Sequence, residues 1–270
     1  KAKLEGTTST KITTAQVDAD DVNQLIADQN ARKIMQARFV SNQLRLGENT
    51  AFTLLGQALR HVTDLQQEWD GVVDTLWASV KRDSVDHIKT KDSSLLDTDF
   101  KNLFPMHPYT SYLLKFIAQD ISSNQRTMFQ FLSGDYSGNE ADRTNFKWFI
   151  EHFGFDYGAW NLLTPDYLWD YFFFADNVDL DGSFMEAISH YNNFESVCGI
   201  GESGDNCRRV LKVALLLSAL HTKNGSVSRS GVTSLLRPTA QNIKACFVGT
   251  PLENRVTEFL EVFVKKGVLG

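Results

Sequence analysis

Cysteine is scarce: three occur in 270 residues, Cys198, Cys207 and Cys246. So sparse and odd a set excludes a disulfide-built framework and fits a reducing compartment, so a cytoplasmic protein is expected. Cys198 and Cys207 lack C-x-x-C spacing and have no histidine at ligand spacing, which argues against zinc. Long apolar runs are also missing. A membrane helix needs roughly 18 to 20 consecutive apolar residues, and the longest run here, "VALLLSAL", is part of a helix-length segment, so no membrane partner is expected. No signal-peptide core follows Lys1, and the closing "KKGVLG" comes directly after a helical pattern; a piece cut from a longer protein is expected. Strand-like alternation is scarce and no internal repeat is visible.

Short catalytic signatures are missing too. There is no G-x-x-x-x-G-K-(S/T), no G-x-S-x-G and no H-E-x-x-H. The histidines, His61, His87, His107, His152, His190 and His221, are scattered, with no i, i+4 pair. No catalytic residue and no metal ligand is assigned.

What the chain does have is helical periodicity over a composition that is 42% hydrophobic, enough for a substantial core. Residues 1–20 read as an extended or disordered lead-in rich in Thr, Lys and Asp. Residues 21–99 read as a helical segment, with Leu55, Leu59, Val62, Leu65, Trp69, Val72, Val73, Leu76 and Val80 tracing one stripe. Residues 100–180 read as a helical, lid-like domain, after a polar interruption at 92–104. Within it Pro108 suits a first helical turn and places Tyr109, Tyr112, Leu113, Phe116 and Ile117 on one face; "FKWFIEHFGFDYGAW" is ambiguous, and Thr164 with Pro165 starts a short helix. Residues 181–270 read as three helices, 207–222, 228–238 and 251–267, with the spacing of a helix-turn-helix or winged helix. The expected fold is therefore mainly α: a multi-helix bundle followed by a winged-helix-like three-helix domain, truncated because a wing hairpin would follow Gly270.

Charge is uneven. The net charge is −6, yet residues 205–270 carry ten Lys/Arg against four Asp/Glu, leaving −12 for residues 1–204. A basic end of this kind meets either nucleic acid or an acidic neighbouring domain.

Two loops imitate ligand sites. "CGIGESG" contains G-x-G-x-x-G at Gly199, Gly201 and Gly204, but no hydrophobic strand precedes it, and Glu202 and Asp205 would repel a phosphate. It reads as a turn leading into a helix. "NVDLDGSFMEAI" sets Asn177, Asp179, Asp181 and Gly182 in calcium-loop order, but Ile188 stands where the closing bidentate glutamate belongs, so an Asx-rich turn is expected.

The most informative segment is "FPMHPYTSYLLKFIAQDISSNQRTMFQFL", residues 104–132. Phe104, Pro105, His107, Pro108, Thr110, Leu113 and Leu114, then Asn124, Gln125, Arg126, Thr127, Phe129, Phe131 and Leu132, resemble a signature of large prokaryotic P-loop ATPases of the AAA+/STAND type. That signature lies after the nucleotide-binding core, and the likeness extends over residues 100–270. The resemblance implies a helical lid that closes over nucleotide and a winged helix that receives its state. It implies a missing upstream ATPase core holding ATP and magnesium, with no cofactor bound by this chain alone and no hydrolysis by it. It also implies a phage-defence or other nucleic-acid-directed setting. Within the lid, Arg126 is the cation suited to a developing γ-phosphate charge, beside Asn124, while His107 and Pro108 mark a helix N-terminus near nucleotide.

Two rival functions are carried forward. In one, the chain is a stand-alone adaptor whose Arg208, Arg209, Arg229, Arg237 and Lys244 contact DNA or RNA phosphates. In the other, it is a protein-interaction scaffold that exposes the "YLWDYFFF" aromatics Trp169, Phe172 and Phe174.

Overall fold

A computed structural model describes residues 56, 65–120, 131–132, 134, 144–153, 161–173, 182–225 and 231–269. All of them fall in one unit, Gly47–Gly270. The described residues are helical, and their single β feature is an isolated parallel bridge between Met106 and Leu163. The mainly α class follows directly from the periodicity. The readings over residues 1–55 and the calcium-like Asn177, Asp179 and Asp181 lie outside the described residues.

Helix α1 (Gln66–Val80) buries Leu76 and Val80 and packs Trp69, Val72 and Val73 against the core, whereas Leu65 of the same stripe, just before the helix, remains exposed, and Leu55, Leu59 and Val62 lie outside the described residues. A π-type turn, Lys81–Val85, joins it to α2 (Asp86–Lys89). The widened turn matches the sequence, because the apolar step from Val80 to Val85 is five residues rather than three or four. Val85 and Ile88 thereby stay on the buried side.

The segment expected to be a polar interruption contains a short helix, α3 (Asp97–Lys101). Asp99 accepts the Leu96 backbone N–H at 2.8 Å, satisfying one donor at the helix start, and Phe100 enters the core. Helix α4 (Pro108–Asp120) begins at the expected proline. It is buried on all sides over Tyr109–Ile117, so its face includes Thr110, Ser111, Leu114 and Lys115 as well as the predicted stripe. The ambiguous aromatic segment contains α5 (Phe146–His152), started by Asn145, whose side chain accepts the Trp148 N–H at 2.8 Å.

Helix α6 (Asp166–Phe173) follows Thr164 and Pro165, and α7 (Gly182–Phe194) and α8 (Gly201–Asn224) complete the frame. Helix α8 is the centre of packing. It buries Val210, Leu211, Val213, Ala214, Leu215, Leu216 and Leu217 and lies against α6 and α7 as well as the two helices that follow. Burying a side chain of this size contributes about 1.5 to 3 kcal/mol, so this one helix accounts for much of the core's cohesion.

The last segment departs from the expected three helices. The first of them starts six residues earlier, at Gly201. The middle one divides: Gly231–Leu236 is a 3-10 turn, and the α-helix proper is α9 (Ala240–Ala245). Pro238 is the reason, since it lacks an N–H and disfavours helical backbone at Arg237. Thr239 then starts α9 by accepting the Asn242 N–H at 3.2 Å. A 3-10 turn, Glu253–Arg255, leads into α10 (Val256–Lys265), whose Val256, Phe259, Leu260 and Phe263 are buried as the stripe predicted, while Val264 is exposed. One hydrophobic core runs from Leu76 to Val268, on both sides of the 180/181 boundary drawn from the sequence.

Candidate functional site

The signature "FPMHP" builds a junction. His107 is the residue before α4, and its carbonyl accepts the Ser111 N–H at 3.1 Å, the first bond of the helix. Its ring supplies the cap: Nδ1 accepts the Tyr109 N–H at 3.1 Å, and Nε2–H donates to the Val248 carbonyl at 3.0 Å. With one nitrogen accepting and the other donating, the ring is held as a neutral tautomer. Burial pushes its pKa down from 6.5 to about 3, against the opposing influences of Val248 and Asp166. The backbone completes the join, since His107 N–H donates to Leu163 O at 3.0 Å, Leu163 N–H to Pro105 O at 3.0 Å and Thr110 Oγ1 to Leu163 O at 2.7 Å. Three distant stretches, 105–110, 163 and 248, are thus tied at one histidine. His107 and Pro108 have no open face here: His107 is fully buried and Pro108 is buried beside it.

Next to this junction stands a pair of ion pairs between α6 and α8. Arg209 Nε donates to Asp166 Oδ2 at 2.7 Å and Arg209 Nη2 to Thr164 Oγ1 at 2.9 Å, while the Thr164 hydroxyl donates to Asp166 Oδ1 at 2.5 Å. Thr164 precedes the helix as expected, but its hydroxyl bonds this carboxylate. One turn along each helix, Lys212 Nζ meets Asp170 at 2.6 Å. Spacings of four residues on α6 and three on α8 place the pairs side by side. The Asp166 charge raises the Arg209 pKa, whereas burial raises that of Asp170 despite the nearby Lys212. Burial also lifts the Tyr167 phenol, with Asp166 adding to it.

A second polar knot joins α9 to α4 and α2. Asn242 Oδ1 accepts from His87 Nε2 at 2.8 Å and Tyr109 OH at 3.2 Å, and its Nδ2 donates to the carbonyls of Ser234 and Arg237 at 2.8 and 2.9 Å. All four hydrogen-bonding positions of that buried amide are filled. A third, Asp92 with Lys115 at 3.3 Å, lies almost wholly inside the core. Burial pushes the Asp92 carboxyl up, but hydrogen bonds from Ser94 and the Lys115 charge outweigh it and hold the group below its ordinary range.

Four of the five predicted basic contacts lie among the described residues. Arg209 is engaged by Asp166, and Arg208 donates to Asp205 at 2.8 Å and to the Gly199 carbonyl at 2.6 Å. Arg237 and Lys244 are exposed, with Arg237 Nε donating to His221 Nε2 at 3.1 Å. Asn124, Arg126 and Arg229 lie outside the described residues. Trp169 and Phe172 of the aromatic cluster are buried, not surface anchors, because α6 turns them onto the core; Phe174 lies outside the described residues.

Of the G-x-G-x-x-G, Gly199 belongs to the turn and Gly201 and Gly204 already lie in the first turn of α8. Gly199 and Gly201 have φ of 76° and 77°, a region that side chains avoid. Gly204 is needed for contact, since a Cβ there would lie 2.6 Å from the Gly199 oxygen.

Sequence reasoning did not single out Asp166, Asp170, Asn242, Asp92 or Lys115. Thr164-Pro165-Asp166 gave a local signal of a helix start, but partners 43 and 42 positions away in sequence carry none. Chemically the junction is balanced: paired charges, filled hydrogen bonds and, among the described residues, no group of three metal-ligating side chains. It holds elements in register. No family model matches the chain, and no curated protein and no solved structure resembles it significantly.

Proposed function

We propose that the chain is the lid and winged-helix-like regulatory portion of a multidomain P-loop ATPase, passing nucleotide state to a partner. On this reading the Walker elements lie upstream of Lys1 and hold ATP and magnesium, and the chain itself performs no hydrolysis. The observation that supports it is the reach of the signature helix. The start of α4 is bonded through His107 to Val248 and through Tyr109 to Asn242, so a displacement of the lid moves the C-terminal helices with it. His107 acts as the coupling joint, and Arg126, with Asn124, meets the γ-phosphate. The all-α architecture with a basic last third is compatible with a helical receiver that engages an acidic domain, DNA or RNA through exposed cations such as Arg237 and Lys244.

The test uses the full-length ATPase. Arg126→Ala is expected to lower kcat at least ~100-fold while ATP affinity changes little, as for other cations that stabilise phosphoryl-transfer charge. His107→Asn is expected to keep ATP binding but to abolish the nucleotide-dependent change in amide exchange over residues 240–265. A parent sequence without a P-loop, or an Arg126→Ala enzyme with normal turnover, overturns the reading.

A further inference from the structure

Two basic side chains meet between the end of α8 and the start of α9. Arg237 Nε donates to His221 Nε2 at 3.1 Å, and neither side chain has a carboxylate partner among the described residues. With Nε2 accepting, the imidazole is neutral and carries its proton on Nδ1. The ring is seated against Gly225, where a Cβ would stand 2.8 Å from the His221 oxygen and 3.3 Å from Nδ1. The backbone of Arg237 is held as well: its carbonyl accepts from the Thr239 N–H at 2.8 Å and from Asn242 Nδ2 at 2.9 Å. The guanidinium is thus fixed through Nε, and its two Nη groups have no partner among the described residues. Gln241 and Lys244 are also exposed and lie three positions apart on α9, on one side of the helix. Lys244, like Arg237, has no ion-pair partner among the described residues.

We propose that Arg237, Gln241 and Lys244 seat the phosphate backbone of a nucleic-acid duplex, Arg237 gripping one phosphate through its two Nη groups and His221 acting as the positioning residue that fixes the guanidinium. A planar fork with two parallel donors matches two oxygens of one phosphate. The composition of the face chooses among polyanions. The centre of a protein–protein interface is apolar and depleted of charge. Here the exposed large apolar side chains among the described residues, Leu65, Leu96, Ile150, Met185, Ile200 and Val264, all stand away from Arg237 and α9 in the chain, on other elements or at the far end of α8. An acidic protein domain therefore finds cations here but no apolar anchor. A single strand needs exposed rings on which its bases stack, and Phe247, the sole Phe, Tyr or Trp between residues 222 and 258, is buried. A duplex backbone asks only for cations and hydrogen-bond donors, and interfaces with it are polar and positive. The inference names the partner of the helical receiver described above and rests on that reading for what the contact regulates, whereas the binding itself is separable from ATP turnover.

The experiment measures fluorescence anisotropy of a labelled DNA duplex with the full chain, in the absence of nucleotide and over a range of salt. The wild type is expected to bind the duplex more weakly as salt rises, and to prefer it to oligo-dT of the same length and to polyglutamate. Arg237→Ala is expected to weaken duplex binding at least ~5-fold and to lower the slope of log affinity against log salt by about 1, as one phosphate contact is lost. Arg237→Lys should keep the slope but recover only part of the affinity, because a point charge replaces the fork. His221→Ala should weaken binding in the wild type and change nothing in the Arg237→Ala chain, a dependence that a merely structural role does not produce. An absence of salt-dependent duplex binding, wild-type affinity in Arg237→Ala, an equal loss in Lys265→Ala on the last turn of α10, or tighter binding of oligo-dT or polyglutamate would each overturn the assignment. Normal turnover by the Arg126→Ala ATPase with duplex binding intact would end the ATPase reading and leave this one standing.

Discussion

An imidazole sealed from water holds a proton weakly, and burial lowers the pKa of His107 from 6.5 to about 3. In the unfolded chain the ring titrates at its ordinary value. As pH falls from about 6.5 towards 3 the unfolded state therefore takes up a proton that the native state refuses, and stability present above that window is lost through it. The slope from this one residue approaches ~1.4 kcal/mol per pH unit. His107→Asn keeps a side chain able to cap α4 but removes the titration. Urea midpoints measured between pH 6 and 4 are expected to fall more steeply for the wild type than for the variant, and parallel profiles would show that the ring is charged in the fold. Lys115 makes a different prediction. Its partner Asp92 is about as buried as it is, so Lys115→Met strands a carboxylate in the core and is expected to cost about 3 to 5 kcal/mol. Replacing Asp92 by Leu in the same chain should recover part of that loss, read as the midpoint of a guanidinium melt.

Glycine has opposite consequences on two helices. On α1, Gly71 is exposed and a methyl added there would have nothing within 4 Å, so Gly71→Ala is expected to stabilise by ~0.5 to 1 kcal/mol through a less flexible unfolded chain. On α8, a methyl on Gly204 would stand 2.6 Å from a backbone oxygen, so Gly204→Ala is expected to cost about 1 to 3 kcal/mol as the Cys198–Gly199 turn is forced off the helix. Thermal melts followed by circular dichroism check both signs. A neutral Gly204→Ala would mean that the turn is free to move. The same contact explains why the sequence placed the helix start too late: Gly201 and Gly204 look like loop residues locally, and packing of the first turn overrides that preference. The divided middle helix of the last third has a local cause in Pro238. Its replacement, α9, escaped notice because six residues, Ala240–Ala245, are too few for periodicity to identify.

At the scale of the molecule, Asn242 decides whether the C-terminal elements and the signature helix behave as one body. Its amide binds Ser234 and Arg237 on one side and His87 and Tyr109 on the other. Asn242→Ala is expected to cost about 2 to 4 kcal/mol, leaving buried partners unsatisfied. It should accelerate amide exchange in 107–112 and 234–248 together; acceleration in only one of them would show that they open independently. The helical class, the prolines that start α4 and α6, and the buried stripes of α4 and α10 were determined by the sequence alone, because periodicity and helix-start chemistry act within a few residues. Where charge and polarity go inside was decided only by the tertiary structure. Asp166 meets Arg209, Asp92 meets Lys115, and His107 meets Val248 across 43, 23 and 141 positions. An ion pair or a filled hydrogen bond depends on distance in space and on exclusion of water, and neither is encoded in the spacing of residues along a chain.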